Sequence, residues 1–119
     1  MSDAKIPTSI DVSLSSLIGL AIEWWRLSSA LASGSSAPAR HALRKIEDFL
    51  HECDLEVYAM DGKAFDPGFA MRVIDAVDDP ALPADTMIVD QTVSPMVLWR
   101  GGVVKSAEVI TRRGPSKKG

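Results

Sequence analysis

The chain has 119 residues, of which 46% are hydrophobic and 24% are charged. These proportions are typical of a globular protein, and the length predicts one compact domain or two small ones. The formal net charge of −3 argues against a general nucleic-acid binder, because counterion release from nucleic acid needs clustered Lys and Arg. Basic residues do cluster between Arg112 and Gly119. We interpret residues 113–119 as a solubilising, disordered tail, and a phosphate-binding arm is the alternative.

Cysteine usage and hydropathy indicate a protein of a reducing compartment. Cys53 is the single cysteine, so no disulfide can form within the chain. The N-terminus lacks the basic segment and apolar run that mark a signal peptide. The apolar run 17–31 carries Glu23 and Arg26 and is shorter than the roughly 20 residues of a membrane-spanning helix. We therefore expect a cytoplasmic protein that has no membrane partner.

Residues 9–32 have the apolar periodicity of a helix. Apolar or small residues recur at steps of three and four from Ile10 to Leu31, which is the spacing of one helix face. Further apolar residues lie on the other faces, so this helix must be covered on more than one side. A homodimer would supply the missing cover, and the residues expected at its interface are Leu14, Leu17, Ala21, Trp24 and Leu31.

A second helix is predicted from Ser36 to about Cys53. Ser36 can cap its N-terminus, and Pro38 is tolerated in the first turn. Asp54 can adopt the left-handed conformation that ends the helix. The two helices would form a hairpin over residues 1–54, and two such hairpins would form a four-helix bundle.

From Leu55 onward the pattern changes to short strands. The segments that alternate or are uniformly apolar are 55–60, 71–77, 86–93, 96–100 and 103–111, and Gly, Asp and Pro residues separate them. Gly101-Gly102 between two apolar runs predicts a two-residue hairpin turn. Five or six short strands within residues 55–112 predict a compact, mostly antiparallel sheet or half-barrel. The fold class expected for the whole chain is therefore α+β.

The sequence offers little that could carry catalysis. His41 and His51 are the only histidines, and His51 diverges from Cys53 on a helix, so the two cannot share a metal. We find no nucleophile elbow, phosphate-binding loop or dinucleotide fingerprint. We therefore expect neither an enzyme, nor a cofactor, nor a metal site.

The order of these segments resembles the C-terminal half of GrpE, the nucleotide exchange factor of DnaK-type chaperones. The shared series is a helix end and strand, a Gly-x-x-aromatic-Asp-Pro motif, a Pro/Asp loop, a Gly-turn hairpin and a last Val-rich strand. It falls on residues 43–111, with the motif from Gly62 to Pro67 and the hairpin glycine at Gly101. The chain departs from the family at Gly102, where the family has Arg, and at Ser106, where it has Pro. It also lacks the family's long N-terminal stalk.

The resemblance implies a GrpE-like head on a helical dimer, whose β-domain binds the ATPase domain of a DnaK-type chaperone and opens its nucleotide cleft. The partner-binding positions that it implies are Phe65, Pro67, Val93 and Thr111, with Gly102 marking a lost family contact. Phe65 is open to two interpretations, a partner contact or a plug at the helix–sheet junction. A non-exchanging adaptor for a specialised chaperone-like ATPase is the second hypothesis for function, and a dimerisation module unrelated to chaperones is the third.

Overall fold

The computed structural model describes residues 6–31, 34, 36–66 and 70–116. Within them the chain forms two helices and six strands, so the α+β class predicted from the sequence is confirmed. The helices are α1 (Leu14–Ala30) and α2 (Ala37–Glu52), and the strands are β1 (Leu55–Tyr58), β2 (Met71–Asp78), β3 (Met87–Ser94), β4 (Met96–Trp99), β5 (Gly102–Lys105) and β6 (Ala107–Arg113). No helix in this described part is both long and apolar enough to cross a membrane.

Helix α1 begins later than the apolar pattern predicts. Ser13 has an extended backbone, and its Oγ accepts a hydrogen bond from the N–H of Ser16 at 3.2 Å. This is the geometry of a helix N-cap, which satisfies a main-chain donor that the helix itself leaves free. Ile10 precedes the helix and is 76% exposed. The prediction of a start near residue 9 is therefore wrong, because serine capping outweighs the apolar periodicity there.

Helix α2 has the predicted bounds. The Oγ of Ser36 accepts the N–H of Ala39 at 3.3 Å, and Pro38 lies in the first turn. At the other end Asp54 has a φ of 64° and donates its N–H to the carbonyl of His51 at 2.9 Å. The predicted left-handed termination at Asp54 is confirmed, and it redirects the chain into β1.

The six strands form two small sheets rather than one. Sheet A has the order β1-β4-β5, and both of its strand pairs are antiparallel. Sheet B has the order β2-β6-β3, in which β3 is antiparallel to β6 and β2 is parallel to it. The prediction of a mostly antiparallel domain is thus confirmed, whereas the prediction of one continuous sheet is wrong.

The chain crosses between the two sheets at two residues. Pro95 separates β3 from β4, and Ser106 separates β5 from β6. The break predicted at Ser94-Pro95 is confirmed, but the run 103–111 that we predicted as one strand is split at Ser106. Since β3 and β6 pair with each other, residues 95–106 form an excursion from sheet B into sheet A.

Sheet A packs against the helices on one face and meets sheet B through β4 on the other. A helix–sheet cluster lies between the helices and one face of sheet A, and its fully buried members are Ala21, Leu50, Leu55 and Val97. A sheet–sheet cluster lies between the other face of sheet A and sheet B, and its buried members are Met60, Val89, Met96, Ala107 and Val109. The central strand β4 therefore packs on both of its faces, which explains why it is apolar at every position.

The segment from Met60 to Phe65 runs along the outer edge of β3. The N–H of Gly62 donates to the carbonyl of Val89 at 2.8 Å, and the N–H of Val89 donates to the carbonyl of Lys63 at 2.8 Å. The Oδ1 of Asp61 accepts the N–H of Thr92 at 2.8 Å. Gly62 has a φ of 77°, so the predicted Asp61-Gly62 turn is confirmed. These bonds cover one edge of sheet B, and β2 forms its other edge.

The C-terminal residues 113–116 do not form the predicted disordered tail. Arg113 is the last residue of β6. The N–H of Gly114 donates to the carbonyl of Thr86 at 2.9 Å, and the carbonyl of Pro115 accepts the N–H of Asp85 at 2.9 Å. These bonds dock the segment onto the loop between β2 and β3. Residues 117–119 of the predicted tail lie outside the described residues.

Candidate partner-binding surface

The partner-binding residues implied by the resemblance do not form one surface. Phe65 lies beside Met87 at the start of β3, because its N–H donates to the carbonyl of Met87 at 3.0 Å. Val93 lies six residues further along the same strand, which corresponds to about 20 Å. Gly102 belongs to sheet A. Pro67 lies outside the described residues.

Thr111 is a correction to the predicted site. Its side chain is completely buried in β6, the central strand of sheet B, between Ala76 and Val89 of the neighbouring strands. A partner could reach this side chain only if sheet B opened. The resemblance placed Thr111 at an accessible strand end, but the parallel pairing with β2 covers that position.

Phe65 does not plug the junction between the helices and the sheets. It is half-buried at the start of β3 in sheet B, whereas the helices pack against β1 and β4 of sheet A. The junction is filled instead by the helix–sheet cluster. Of the two interpretations left open by the sequence, the partner contact is the one that remains, and it stays a prediction.

Val93 faces a shallow groove between α1 and the end of β3. The groove is lined by Trp25 and Ser29 from the helix and by Gln91 and Val93 from the strand. Val93 is half-buried there. A partner that reaches this residue would have to contact α1 as well.

The β4–β5 hairpin of sheet A has exposed surface next to its turn. Its turn consists of Arg100 and Gly101, with φ of 50° and 79°, and Trp99 pairs with Gly102 across it. The turn predicted at Gly101-Gly102 is therefore displaced by one residue. Beyond it, Gly102 is exposed and Val103 is 47% exposed. Sequence reasoning identified Gly102 but missed Val103.

The turn of the hairpin is fixed to the rest of the molecule. Trp99 packs into the helix–sheet cluster, and the guanidinium carbon of Arg100 lies 4.4 Å from the centroid of its ring. The N–H of Arg100 donates to the carbonyl of Asp54 at 3.0 Å, and its Nε lies 3.2 Å from Oδ2 of the same residue. Exposed strand residues beside an anchored turn can bind a partner without first being ordered.

Tyr58 and Glu56 of β1 lie on the same face of sheet A as Val103. Glu56 pairs with Leu98, and Leu98 pairs with Val103. Tyr58 is 42% exposed, and its hydroxyl donates a hydrogen bond to a carboxylate oxygen of Glu56. This hydrogen bond, together with the negative charge of Glu56, raises the pKa of Tyr58 above its usual value. This face of sheet A thus combines an apolar side chain on β5, a phenol and a carboxylate.

The predicted dimer row faces the interior of its own chain. Ala21 is fully buried, and Leu14, Leu17 and Trp24 pack against the same helix–sheet cluster. The indole N–H of Trp24 also donates to the carbonyl of Leu43 in α2 at 2.9 Å. Ala21 therefore belongs to the core of its own chain, and the half-buried Leu14, Leu17 and Trp24 contact that core, so their assignment to a dimer interface stays a prediction. Leu31 is half-buried at the helix end, in a groove shared with Trp24 and α2.

A different row of α1 is exposed. Leu20 and Leu27 are 40% and 49% exposed, and they lie seven residues apart, on one side of the helix. Glu23 and Arg26 lie close to them and form an ion pair with an N–O distance of 2.5 Å. We call Leu20, Glu23 and Leu27 the outer row of α1; it offers exposed apolar surface to which a second copy could bind.

The basic C-terminal residues are paired within the chain. Arg112 lies 2.9 Å from a carboxylate oxygen of Asp79 and 2.8 Å from one of Asp90. Arg113 lies 2.7 Å from an oxygen of Asp78, which raises the pKa of its guanidinium. Arg112 and Arg113, which could have formed part of a phosphate-binding arm, thus pair with carboxylates in or next to sheet B.

Within the described part of the chain, no group of three or more His, Cys, Asp or Glu residues is placed to hold a metal ion. No protein-family model matches the sequence, and no curated protein matches it significantly.

Proposed function

We propose that the protein is a GrpE-like co-chaperone, which binds the ATPase domain of a DnaK-type chaperone and promotes release of its nucleotide. The observation that carries this proposal is the anchored β4–β5 hairpin, whose exposed Gly102 and Val103 follow a turn fixed by Trp99 and Arg100. The order of elements in residues 43–111, which resembles the GrpE head, supplies the identity of the partner.

Nucleotide exchange of this kind needs a rigid binding surface rather than reactive side chains. A factor that binds the open form of an ATPase more tightly than the closed form shifts the equilibrium toward opening, and the nucleotide then leaves. To shift the ratio of open to closed forms tenfold, the difference in binding free energy must be about 1.4 kcal/mol. A projecting apolar residue such as Val103, held by a preorganised hairpin, can supply a difference of this size when it is buried in only one of the two forms.

The proposal includes a homodimer formed through the helices. Since the row from Leu14 to Trp24 packs against the chain's own sheet, the second copy would contact the outer row of α1. Leu20 and Leu27 repeat at the seven-residue interval of a coiled-coil seam. Glu23 lies between them and is already paired with Arg26, so its charge could remain at the rim of such an interface.

The exchange activity is tested by measuring the release of a fluorescent ADP from a DnaK-type chaperone with and without the protein. We expect the wild-type protein to accelerate release. Val103→Asp should remove the acceleration, because it places a charge in the apolar contact. Val77→Asp is the matched control, since Val77 is also 47% exposed but lies in sheet B, near the end of β2. Absence of acceleration by saturating wild-type protein would reject the exchange activity.

The second candidate function is a non-exchanging adaptor of a chaperone-like ATPase. Gly102 favours it, because this exposed position carries no side chain where the GrpE family has Arg. A complex that forms at micromolar protein while ADP release stays unchanged would support the adaptor. In that case Val103→Asp should still weaken the complex, and Val77→Asp should leave it intact.

A further inference from the structure

Two turns of the molecule are joined to each other by their left-handed residues. Asp54 ends α2 with a φ of 64°, and Arg100 opens the β4–β5 turn with a φ of 50°. Both are non-glycine residues in a backbone region that L-amino acids rarely adopt, and arginine is among those that adopt it least readily. Residues in such conformations are retained where the surroundings over-determine them. Here the surroundings of each turn include the other turn.

Two hydrogen bonds connect these residues, and they differ in kind. The first joins the main chains, from the N–H of Arg100 to the carbonyl of Asp54 at 3.0 Å. The second joins the side chains, from Nε of Arg100 to Oδ2 of Asp54 at 3.2 Å. The guanidinium also stacks over Trp99 at 4.4 Å, and Trp99 itself packs into the helix–sheet cluster. The side-chain bond can therefore be removed while the main-chain bond remains.

We infer that Asp54 and Arg100 form a latch that holds the β4–β5 hairpin in its binding orientation relative to α2. The latch acts through the turn that it fixes, so both are positioning residues for Gly102 and Val103 and need not touch the partner. A hairpin without the latch loses conformational freedom when it binds, and this loss lowers affinity. The effect on affinity rests on the proposed function. The fixed position of the hairpin in the free protein does not depend on that function.

The first experiment uses the free full-length protein and measures amide hydrogen exchange at Arg100 and Val103. The variants are Asp54→Asn and Arg100→Asn, because asparagine tolerates the left-handed conformation. The side-chain bond joins two residues with side chains 66% and 53% exposed, so its loss should accelerate exchange about 1.5- to 5-fold. The double variant should exchange no faster than Arg100→Asn, since Asp54→Asn acts only through the side-chain bond that Arg100→Asn already removes together with the stacking on Trp99.

Two further measurements separate a latch from general stabilisation. High salt should accelerate the same amides in the wild type but not in Asp54→Asn, because only the wild type has an ion pair to screen. Arg100→Lys should restore part of the protection, since it keeps the positive charge. Arg113→Asn is the control, because it removes an exposed ion pair of sheet B and should leave the hairpin amides unchanged. Unchanged exchange in Asp54→Asn, or additive effects in the double variant, would overturn the latch.

The second experiment measures the affinity of the same variants for a DnaK-type ATPase domain. We expect Asp54→Asn and Arg100→Asn to weaken binding by the factor by which they accelerate hairpin exchange, and Arg113→Asn to have no effect. Variants that loosen the hairpin at unchanged affinity would overturn the positioning role. If the wild type binds no such ATPase while the variants still loosen the hairpin, the latch stands and the proposed function fails.

Discussion

The indole of Trp24 in α1 donates its N–H to the main-chain carbonyl of Leu43 in α2, across 2.9 Å. Trp24→Phe removes this donor and keeps most of the aromatic surface that packs on the helix–sheet cluster. We expect it to lower the free energy of unfolding by about 1 kcal/mol for the hydrogen bond, with a smaller addition for lost packing. Urea unfolding monitored by circular dichroism measures the change. Trp25→Phe truncates the neighbouring indole in the open groove beside β3 and should cost less. Equal losses in both variants would contradict the role of this bond.

The row of α1 from Leu14 to Trp24 packs against its own chain. A charged substitution in this row should therefore destabilise the fold, whereas one in a dimer interface would separate the two copies. Leu17 packs against the helix–sheet cluster, so Leu17→Asp should destabilise the fold itself, by about 3 kcal/mol or more. The double substitution Leu20→Asp and Leu27→Asp changes the outer row instead. It should yield a folded monomer if the second copy packs there. Sedimentation velocity gives the mass, and thermal unfolding shows whether each variant is folded.

A folded dimer of the Leu20/Leu27 variant would place the second copy elsewhere. A monomeric wild type at high concentration would remove the homodimer from the proposal, while leaving the hairpin surface intact.

Gly114 predicts a severe effect for a small substitution. A Cβ at this residue would lie 2.0 Å from the carbonyl oxygen of Pro83, a main-chain atom that cannot turn aside. Gly114→Ala should therefore displace the C-terminal segment from the β2–β3 loop and lower stability by about 2 kcal/mol or more, the range of mutations that strain a tightly packed site.

Gly19→Ala is the matched control, because an added Cβ meets nothing within 4 Å in the middle of α1. Replacement of a helical glycine by alanine should raise stability by about 0.5–1 kcal/mol. We expect Gly114→Ala to lower the unfolding midpoint and Gly19→Ala to raise it. An unchanged midpoint in Gly114→Ala would contradict the close approach to Pro83.

Tyr58 provides a spectroscopic prediction, because it is the only tyrosine of the chain. Absorbance at the wavelength of tyrosinate should show a midpoint above the usual pKa of about 10, since the hydrogen bond and charge of Glu56 raise the pKa of Tyr58. Glu56→Gln removes the charge and should lower the midpoint. The stability that this bond contributes is present below the ordinary pKa of tyrosine and is lost as the pH rises through the raised value. An unchanged midpoint in Glu56→Gln would show that Glu56 does not set the pKa.

Sequence reasoning located the features that depend on a few neighbouring residues. Ser36 and Pro38 mark the start of α2, and Asp54 marks its end, because capping and left-handed termination are local chemistry.

The failures of prediction concern contacts between distant parts of the chain. Helix α1 is apolar on nearly all sides. Its periodicity therefore does not distinguish Ala21, which faces the chain's own sheet, from Leu27, which faces solvent. The alternating pattern around Thr111 is that of a strand. The burial of Thr111 follows from the pairing of β6 with both β2 and β3, which the pattern does not show. We predicted the hairpin turn one residue too late, because the Gly-Gly pair favours a turn at Gly101-Gly102. In the structure Trp99 pairs with Gly102, so the turn begins at Arg100. Strand pairing of this kind is set by tertiary packing rather than by local preference.

The excursion of residues 95–106 from sheet B has a consequence for how such a protein could diversify. Because β3 and β6 pair directly with each other, the two strands that bracket the excursion already have their hydrogen-bond partners. A hairpin of another length or tip sequence could be exchanged at Pro95 and Ser106, provided that it kept the apolar anchors Val97 and Trp99. The surface of the hairpin could then change by replacement of this one segment, without a new scaffold having to arise.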